Sequence, residues 1–225
     1  MIYNAGMTDV YSVPFWSSKF YDHKARWLNY FTQIRAVAKA ISIERGNSSF
    51  SVLEIGPSHG LVTEYLRKFG VSVKTLDRKK EYNPDYLGSV TSIPCHDNTF
   101  DFVLASEILE HLTFEEYKKA LTEIFRVTRK YAFITVPDVR HTLIDLYIKL
   151  PLLPSLAFSL RFPTRKQMPK LPIGAHQWEI GRPGMSAKKV SAEMKNTGFI
   201  VIDEFVNRDT PRNHCFYLKK TVKNS

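Results

Sequence analysis

The chain contains 225 residues, with 32 lysines and arginines against 22 aspartates and glutamates, and its formal net charge is +10. This length fits one domain with a sizeable buried core. No basic n-region followed by an apolar h-region opens the sequence, so we expect a cytoplasmic protein without a secretory signal peptide. The two cysteines, Cys95 and Cys215, lack the spacing of a metal site or a disulfide framework, which predicts reduced thiols.

The positive charge is concentrated in the last part of the chain. Residues 139–225 carry fifteen basic and six acidic side chains. Such a charge distribution would attract an anionic small molecule, an anionic membrane surface or a nucleic acid. The alternative is a solvated basic surface that only keeps the protein soluble.

An aromatic segment without regular spacing opens the chain, and a helical pattern follows it. Residues 1–20 contain several aromatic side chains, which predicts either a lid over a ligand site or a poorly ordered end with a few anchors. Apolar residues then recur at helical spacing over residues 22–45. The Gly-Asn-Ser-Ser run at residues 46–49 ends this helix before the first strand.

Residues 50–69 have the pattern of a strand, a glycine turn and a helix. An apolar run ends just after Glu54, and Gly56 and Gly60 bracket the turn before the helical pattern begins. Backbone N–H groups at the start of such a helix face a ligand, and glycine permits a positive φ and a close approach. Ser58 occupies the place of the middle glycine of a dinucleotide fingerprint, so we expect a ligand without a pyrophosphate.

Alternating strands and helices continue to residue 137. A second strand at residues 71–77 ends in Asp77, whose carboxylate can accept hydrogen bonds from a ribose diol. A strand-like run at residues 100–104, a helical pattern at 121–127 and a strand at 131–137 follow. This alternation predicts a parallel sheet with right-handed crossovers.

These segments resemble, in order, the motifs of the class I S-adenosylmethionine (SAM) methyltransferases of the type 11 branch. The similarity is carried by residues 54–60, residues 92–104, the Ser-Glu-Ile-Leu-Glu-His-Leu run at 106–112 and residues 121–137. The resemblance implies an α/β fold with a Rossmann-like seven-stranded sheet, helices on both faces and a closing antiparallel hairpin. It also implies SAM as the cofactor.

The resemblance assigns cofactor contacts to particular positions. Residues 54–60 would surround the methionine part of SAM, Asp77 would bind the ribose, and Ser89 and Ile93 would flank the adenine. Ser89 stands where many relatives have an aspartate, and its hydroxyl would form a weaker hydrogen bond than a charged group. The cofactor-binding residues that the resemblance implies are Glu54, Gly56, Pro57, Ser58, Gly60, Asp77, Arg78, Ser89, Ile93 and Ser106.

The regular alternation of strands and helices lapses between residues 138 and 184. Residues 142–160 are strongly apolar, but charged residues and prolines interrupt them, so we expect no membrane-spanning helix. Basic residues follow closely. This order favours either an interfacial element or the wall of a pocket for an amphiphilic acceptor, and the alternative is an insertion that packs on the core. A helix at 186–196 with Ser186 as N-cap and strands at 199–206 and 214–219 complete the pattern.

Candidate acceptor-side residues lie after the fourth strand and in the insertion. Glu107 would share a helical face with Glu110 or His111, and the three could hold a divalent cation, as a similar run does in the ubiquinone O-methyltransferases. The run is widespread in the type 11 branch, where capping or packing roles are commoner, so we predict no metal site. Glu107 and His111 remain candidate catalytic residues that contact or deprotonate the acceptor.

The His-Gln-Trp-Glu-Ile-Gly run at residues 176–181 resembles a segment of a little-characterised subset of the same branch. We expect His176 and Glu179 to line the acceptor pocket as catalytic residues, since polar and aromatic residues on a loop often bind a ligand. In the alternative, Trp178 fills the core while Glu179 pairs with a basic neighbour such as Arg182.

Together these inferences predict a single methyltransferase domain over residues 1–225. Its parts are an N-terminal lid and helix (1–45), a SAM-binding core (50–137), an acceptor-side insertion (138–184) and a C-terminal helix and hairpin (185–225). We expect methyl transfer to an oxygen or nitrogen of a small or amphiphilic, anionic acceptor (a metabolite, a glycan or a lipid-linked molecule), with peripheral contact to an anionic membrane. The rivals are an RNA methyltransferase that uses the basic C-terminal part and a non-catalytic SAM-fold partner subunit.

Overall fold

The structure of the chain is a computed structural model, and it describes residues 24–44, 49–150, 156–167, 175–208 and 211–221. The N-terminal lid predicted for residues 1–20 lies outside this part of the chain. Among the described residues, no helix is both long and apolar enough to cross a membrane.

Four helices and nine strands make up the described part of the chain. The helices are α1 (Lys24–Ile43), α2 (Leu61–Lys68), α3 (Phe114–Val127) and α4 (Ala187–Thr197). The strands are β1 (Ser51–Ile55), β2 (Ser72–Asp77), β3 (Tyr86–Leu87), β4 (Phe100–Ser106), β5 (Thr128–Pro137), β6 (His141–Ile148), β7 (Leu156–Phe162), β8 (Phe199–Val206) and β9 (Asn213–Lys220). Short 3-10 helices lie at Lys80–Tyr82 and Leu109–His111.

Seven of these strands form one sheet in the order β3-β2-β1-β4-β5-β9-β8. The strands from β3 to β5 are parallel, and β9 is antiparallel to both β5 and β8. The predicted seven-stranded sheet with a closing antiparallel hairpin is therefore confirmed. The strand order reverses between β1 and β4, and ligands of such sheets bind outside the carboxyl ends of the strands at that point.

Helices cover both faces of the sheet, as predicted. Apolar side chains of α3 and α4 pack on one face, whereas those of α1 and α2 pack on the other. The helix α3 begins at Phe114, seven residues before the periodic segment that indicated it. Its start is a capping box, in which Thr113 accepts from the N–H of Glu116 and Glu116 accepts from the N–H of Thr113. Ser186 caps α4 as predicted, with its Oγ 3.1 Å from the backbone nitrogen of Lys189.

The apolar segment within the insertion forms an antiparallel hairpin of β6 and β7, which pair with each other and not with the main sheet. All eight residues of β6 are exposed, among them Leu143, Leu146 and Tyr147, so this strand does not pack on the core, whereas Trp178 and Ile180 of the same insertion do. Apolar side chains cover both sides of this hairpin because successive residues of a strand point to opposite faces.

A buried ionic network joins the root of the hairpin to the main sheet. The carboxylate of Asp138 accepts from Arg140 Nη2 at 2.6 Å and from Arg161 Nη1 at 3.0 Å, and its Oδ2 lies 3.1 Å from His214 Nδ1. Burial opposes the ionisation of Asp138, but hydrogen bonds from His214 and Arg140 outweigh it and hold the pKa of this carboxyl below its ordinary value. Arg161 therefore anchors the hairpin rather than extending a basic surface, while Arg165 and Lys166 are exposed.

Candidate active site

The turn after β1 lies against the loop that follows β4. Gly56 has a φ of 68°, and a Cβ on this residue would stand 2.1 Å from Cδ1 of Ile108. Its N–H donates to the carbonyl of Leu76 at 2.8 Å, which ties the turn to β2. Only glycine combines this φ with so little space, so the turn holds the ends of three strands together.

The helix α2 begins directly after this turn. Gly60 stands at its N-cap with a φ of 76°, and no side chain caps the helix. The first N–H groups of a helix have no partner within it, and the helix dipole adds a partial positive charge there. Ser58, also at positive φ, has its Oγ 3.1 Å from Nδ1 of His59. The turn can thus offer N–H groups to an anionic or polar part of a ligand.

Asp77 lies at the carboxyl end of β2, next to β1, and its side chain is partly exposed. Its Oδ1 accepts from the backbone N–H of Lys79 at 2.8 Å, which fixes the orientation of the carboxylate. Arg78, beside it, is exposed. This geometry suits a carboxylate that accepts hydrogen bonds from a diol.

The two residues expected beside the adenine lie in different surroundings. Ser89 is partly buried, and its Oγ lies 2.8 Å from Oγ1 of Thr91. Ile93 is only 3 % exposed and packs in the core below α3, while its N–H donates to Glu123 Oε2 at 2.7 Å and its carbonyl accepts from Arg126. A cofactor would therefore meet Ser89 and Thr91 more readily than the side chain of Ile93.

The side chains of Glu54 and Ser106, both expected near the cofactor, form hydrogen bonds with other residues of the protein. Glu54 is buried and accepts a hydrogen bond from the hydroxyl of Thr63, and its burial raises the pKa of its carboxyl to about 7. The hydroxyl of Ser106 accepts from the side-chain amides of Asn29 and Gln33 on α1, at 3.1 and 2.9 Å. Both residues support the site from behind.

Glu107 follows β4 and turns toward β5 and β9. Its φ is 54°, an uncommon value for a residue with a side chain, and its Oε1 accepts from Thr135 Oγ1 at 2.9 Å. Burial raises the pKa of Glu107 above its ordinary value, although hydrogen bonds from Asn213 and Thr135 oppose that rise. The prediction that Glu107 shares a helical face with Glu110 or His111 is wrong. Glu107 is not in a helix, and the 3-10 helix that follows it contains only Leu109–His111.

His176 and Glu179 lie together in the segment that crosses the carboxyl end of the sheet. Nδ1 of His176 is 2.9 Å from Oε1 of Glu179, and Oε2 of Glu179 accepts from Arg182 Nε at 2.8 Å. Trp178 is buried and contacts the ring of Tyr117 at a centroid distance of 5.1 Å. The alternative that Trp178 fills the core and Glu179 pairs with Arg182 is thus what the structure shows, and His176 shares the same carboxylate.

Glu110 and His111 complete the group. The carbonyl of Glu110 accepts from the N–H of Gln177 at 2.6 Å, and the rings of His111 and His176 are 4.9 Å apart. Burial and the nearby charge of Glu107 raise the pKa of Glu110 well above its ordinary value. Acidic and imidazole side chains from two distant segments therefore meet just after Ile108, the residue that lies against Gly56.

Residues 53–136 match the family model of a methyltransferase domain. The match covers β1 to β5, which are the strands that carry the turn at Gly56, Asp77 and Glu107. This part of the chain is a methyltransferase domain, as its sequence motifs predict. The predicted resemblance to the type 11 methyltransferases is confirmed over these residues, and SAM is the cofactor that this resemblance implies. A search of the curated proteins found no significant match in sequence.

Solved structures show the same fold at low sequence identity. A SAM-dependent methyltransferase from Clostridium acetobutylicum is 8% identical, with a TM-score of 0.57, and the alignment covers 86% of this chain and 92% of that one. Magnesium protoporphyrin IX methyltransferase from Synechocystis, with bound SAM, is 11% identical, with a TM-score of 0.55 and coverage of 87% and 81%. The 1,6-didemethyltoxoflavin-N1-methyltransferase from Burkholderia thailandensis is 14% identical, with a TM-score of 0.51 and coverage of 87% and 83%.

Sequence reasoning missed the proximity of His176 to Glu110 in this methyltransferase domain. The two residues lie in different parts of the chain, and the hydrogen bond from Gln177 to the carbonyl of Glu110 brings them together. It also missed Thr135, which holds Glu107, although a polar residue near the end of a buried strand was a usable signal.

Proposed function

We propose that this methyltransferase transfers the methyl group of SAM to an oxygen or nitrogen of a small or amphiphilic, anionic acceptor. Glu107, His111, His176 and Glu179 would contact the acceptor or hold the groups that do. Methyl transfer is an in-line displacement, so the protein contributes mainly alignment and exclusion of water. A side chain that accepts the acceptor's proton is needed where that acceptor must lose one.

The contact between Gly56 and Ile108 supports this arrangement most directly. Ile108 follows Glu107 in the chain, and its side chain fills the space above the turn that would hold the methionine part of SAM. With SAM bound at this turn, the residues on either side of Ile108 would be neighbours of the methyl donor. An acceptor beside Glu107 and His176 would stand close to the cofactor's sulfonium.

The insertion supports an anionic and amphiphilic acceptor. A cavity of about 350 Å³ at the root of the hairpin is lined by three arginines (Arg140, Arg161 and Arg208) and by Asp145. Arg140 and Arg161 pair with Asp138, and Arg208 pairs with Asp145, so the three cations outnumber the two carboxylates that they contact. Large apolar side chains on the hairpin are exposed next to it, as Leu143 and Tyr147 illustrate. A molecule with an anionic head and an apolar tail would match both, and so would peripheral contact with an anionic membrane.

The structural neighbours favour a small molecule over a nucleic acid. Two of them are named as methyltransferases of 1,6-didemethyltoxoflavin and of magnesium protoporphyrin IX. No run of Asn or Asp followed by two prolines and an aromatic stands after β4, where enzymes that methylate exocyclic base amines often carry one. The basic C-terminal part keeps RNA as the rival acceptor to be tested.

The decisive experiment incubates the protein with methyl-labelled SAM and fractionated metabolites, lipids and RNA. We expect label in a metabolite or lipid fraction, and less label with the Asp77→Ala variant when SAM is kept below saturation. Label in RNA, with binding that weakens steeply as salt rises, would favour the rival. Absence of turnover with every fraction, together with a stable complex with another protein, would support a non-catalytic partner subunit.

A further inference from the structure

Three metal-ligating side chains meet at the carboxyl edge of the sheet. Nε2 of His176 lies 3.8 Å from Oε1 of Glu110, and Nε2 of His111 lies 4.0 Å from the same oxygen. One donor atom from each of the three residues lies within 4.8 Å of the other two. Two imidazoles and one carboxylate are a ligand set that Zn²⁺ and similar divalent cations prefer.

The burial of Glu110 is a separate observation that points to a ligand. Its side chain has 0% exposure, and neither carboxylate oxygen has a hydrogen-bond partner among the described residues. Buried polar atoms are nearly always hydrogen-bonded, because an unpaired one costs free energy. A cation bound between Glu110 and the two imidazoles would satisfy this carboxylate.

Glu179 prepares His176 for such a role. Nδ1 of His176 lies 2.9 Å from the carboxylate of Glu179, which can only accept, so Nδ1 is the donor and Nε2 is the ring nitrogen left to bind a cation. Arg182 holds Glu179 in turn, at 2.8 Å. Metal-ligating histidines usually donate their other N–H to a carboxylate in this way, which fixes the tautomer and the orientation of the ring.

We propose that Glu110, His111 and His176 bind one divalent cation of the Zn²⁺ type, with Glu179 as the positioning residue for His176. Glu107 does not belong to this ligand set, since its carboxylate is turned toward Thr135. Binding would draw the donor atoms together to roughly 3–3.5 Å from one another, the spacing that bonds of about 2.0–2.2 Å require. A harder cation such as Mg²⁺ would prefer oxygen ligands alone.

The exposed side of the site leaves room for a further ligand. The side chains of His111 and His176 are 30% and 36% exposed, whereas Glu110 closes the site from behind. Three protein ligands leave at least one position open, as in catalytic zinc sites. An oxygen of the acceptor would take that position, and this role alone rests on the proposed function.

Calorimetry with zinc chloride tests the site on the full chain, without a histidine tag and after dialysis against a chelator. We expect one Zn²⁺ per chain in the wild type. His176→Ala and Glu110→Gln should weaken binding by more than about 100-fold, and Glu179→Gln by about 10- to 100-fold. His96→Ala, which removes an exposed histidine outside the cluster, is the matched control and should bind Zn²⁺ as the wild type does.

Equal affinity in the wild type and in His176→Ala would overturn the proposal, as would loss of binding in His96→Ala. Because Glu110→Gln alters a buried position, its fold is checked by circular dichroism, and the half-exposed His176 carries the decision. The titration contains no SAM. A wild type that methylates an acceptor but binds no Zn²⁺ would refute the metal site alone, whereas Zn²⁺ binding without any turnover would count against the proposed function alone.

Discussion

The turn at Gly56 offers a quantitative test of how the loop after β1 is built. Replacing Gly56 with alanine places a methyl group 2.1 Å from Cδ1 of Ile108 and a side chain at a φ of 68°. The left-handed conformation costs a residue with a Cβ about 1–2 kcal/mol. Forcing Ile108 aside adds about 1–3 kcal/mol, the usual cost of overpacking. Gly56→Ala should therefore lower the free energy of unfolding by about 2–5 kcal/mol.

Gly60 provides the matched control for this substitution. Its φ is 76°, similar to that of Gly56, but a Cβ there would meet no atom within 4 Å. Gly60→Ala should cost only the backbone part, about 1–2 kcal/mol. In the double variant Gly56→Ala/Ile108→Ala the overlap disappears, so the two substitutions should show a favourable coupling of about 1–3 kcal/mol.

Urea unfolding followed by far-ultraviolet circular dichroism measures all five proteins: the wild type, Gly56→Ala, Gly60→Ala, Ile108→Ala and the double variant. A Gly56→Ala variant that loses no more stability than Gly60→Ala would refute the contact argument, because both share the same backbone cost. Additive effects of Gly56→Ala and Ile108→Ala would refute it independently. Calorimetric titration with SAM then shows whether the stable variants still bind the cofactor.

Three further predictions concern the cofactor, the acceptor and pH. Asp77→Ala should weaken SAM binding by at least ~1 kcal/mol, since charge-assisted hydrogen bonds contribute that much, and unchanged affinity in calorimetry would remove Asp77 from the ribose. His176→Ala should spare SAM binding while slowing methyl transfer by at least about tenfold, because an acceptor held less precisely reacts more slowly; equal loss of both would place His176 outside the acceptor site. Burial raises the pKa of Glu54 to about 7 in the folded protein. The contribution of this residue to stability is therefore fully present below its unfolded pKa and is lost as the pH rises through the folded pKa of about 7. Between about pH 4.5 and 7, the free energy of unfolding of Glu54→Gln should therefore fall by up to ~3 kcal/mol less than that of the wild type, as urea unfolding would show. Equal falls in the two proteins would contradict the assignment.

The sequence alone determined most of the fold because its main signals are local. Apolar runs with period 2 or 3.6 depend on a few neighbouring residues, and they indicated β1, β2 and α2 closely. The positive φ at Gly56 and Gly60 follows from the same local logic, since a tight turn after a buried strand favours glycine. The resemblance to type 11 methyltransferases then supplied the cofactor from ordered motifs rather than from any single residue.

The hairpin of β6 and β7 and the N-terminal half of α3 escaped sequence analysis for physical reasons. Prolines and charges interrupt the apolar segment, and its strands carry apolar residues on both faces, so no period-2 alternation marks them. The helix α3 starts at a capping box of polar residues, whose hydrogen bonds do not alter the pattern of hydrophobic residues.

Only the tertiary structure decided how the acidic and imidazole side chains near the end of β4 are brought together. Glu110 and His176 are far apart in sequence, and no periodicity links them; they meet because Gln177 bonds to the carbonyl of Glu110 and Ile180 pairs beside the end of β5. The carboxylate of Glu107 likewise points toward β5 because it accepts a hydrogen bond from Thr135, a residue of that strand. Local chemistry thus specifies strands, turns and helix starts, whereas the grouping of acids and imidazoles depends on contacts between segments that only the folded chain brings together.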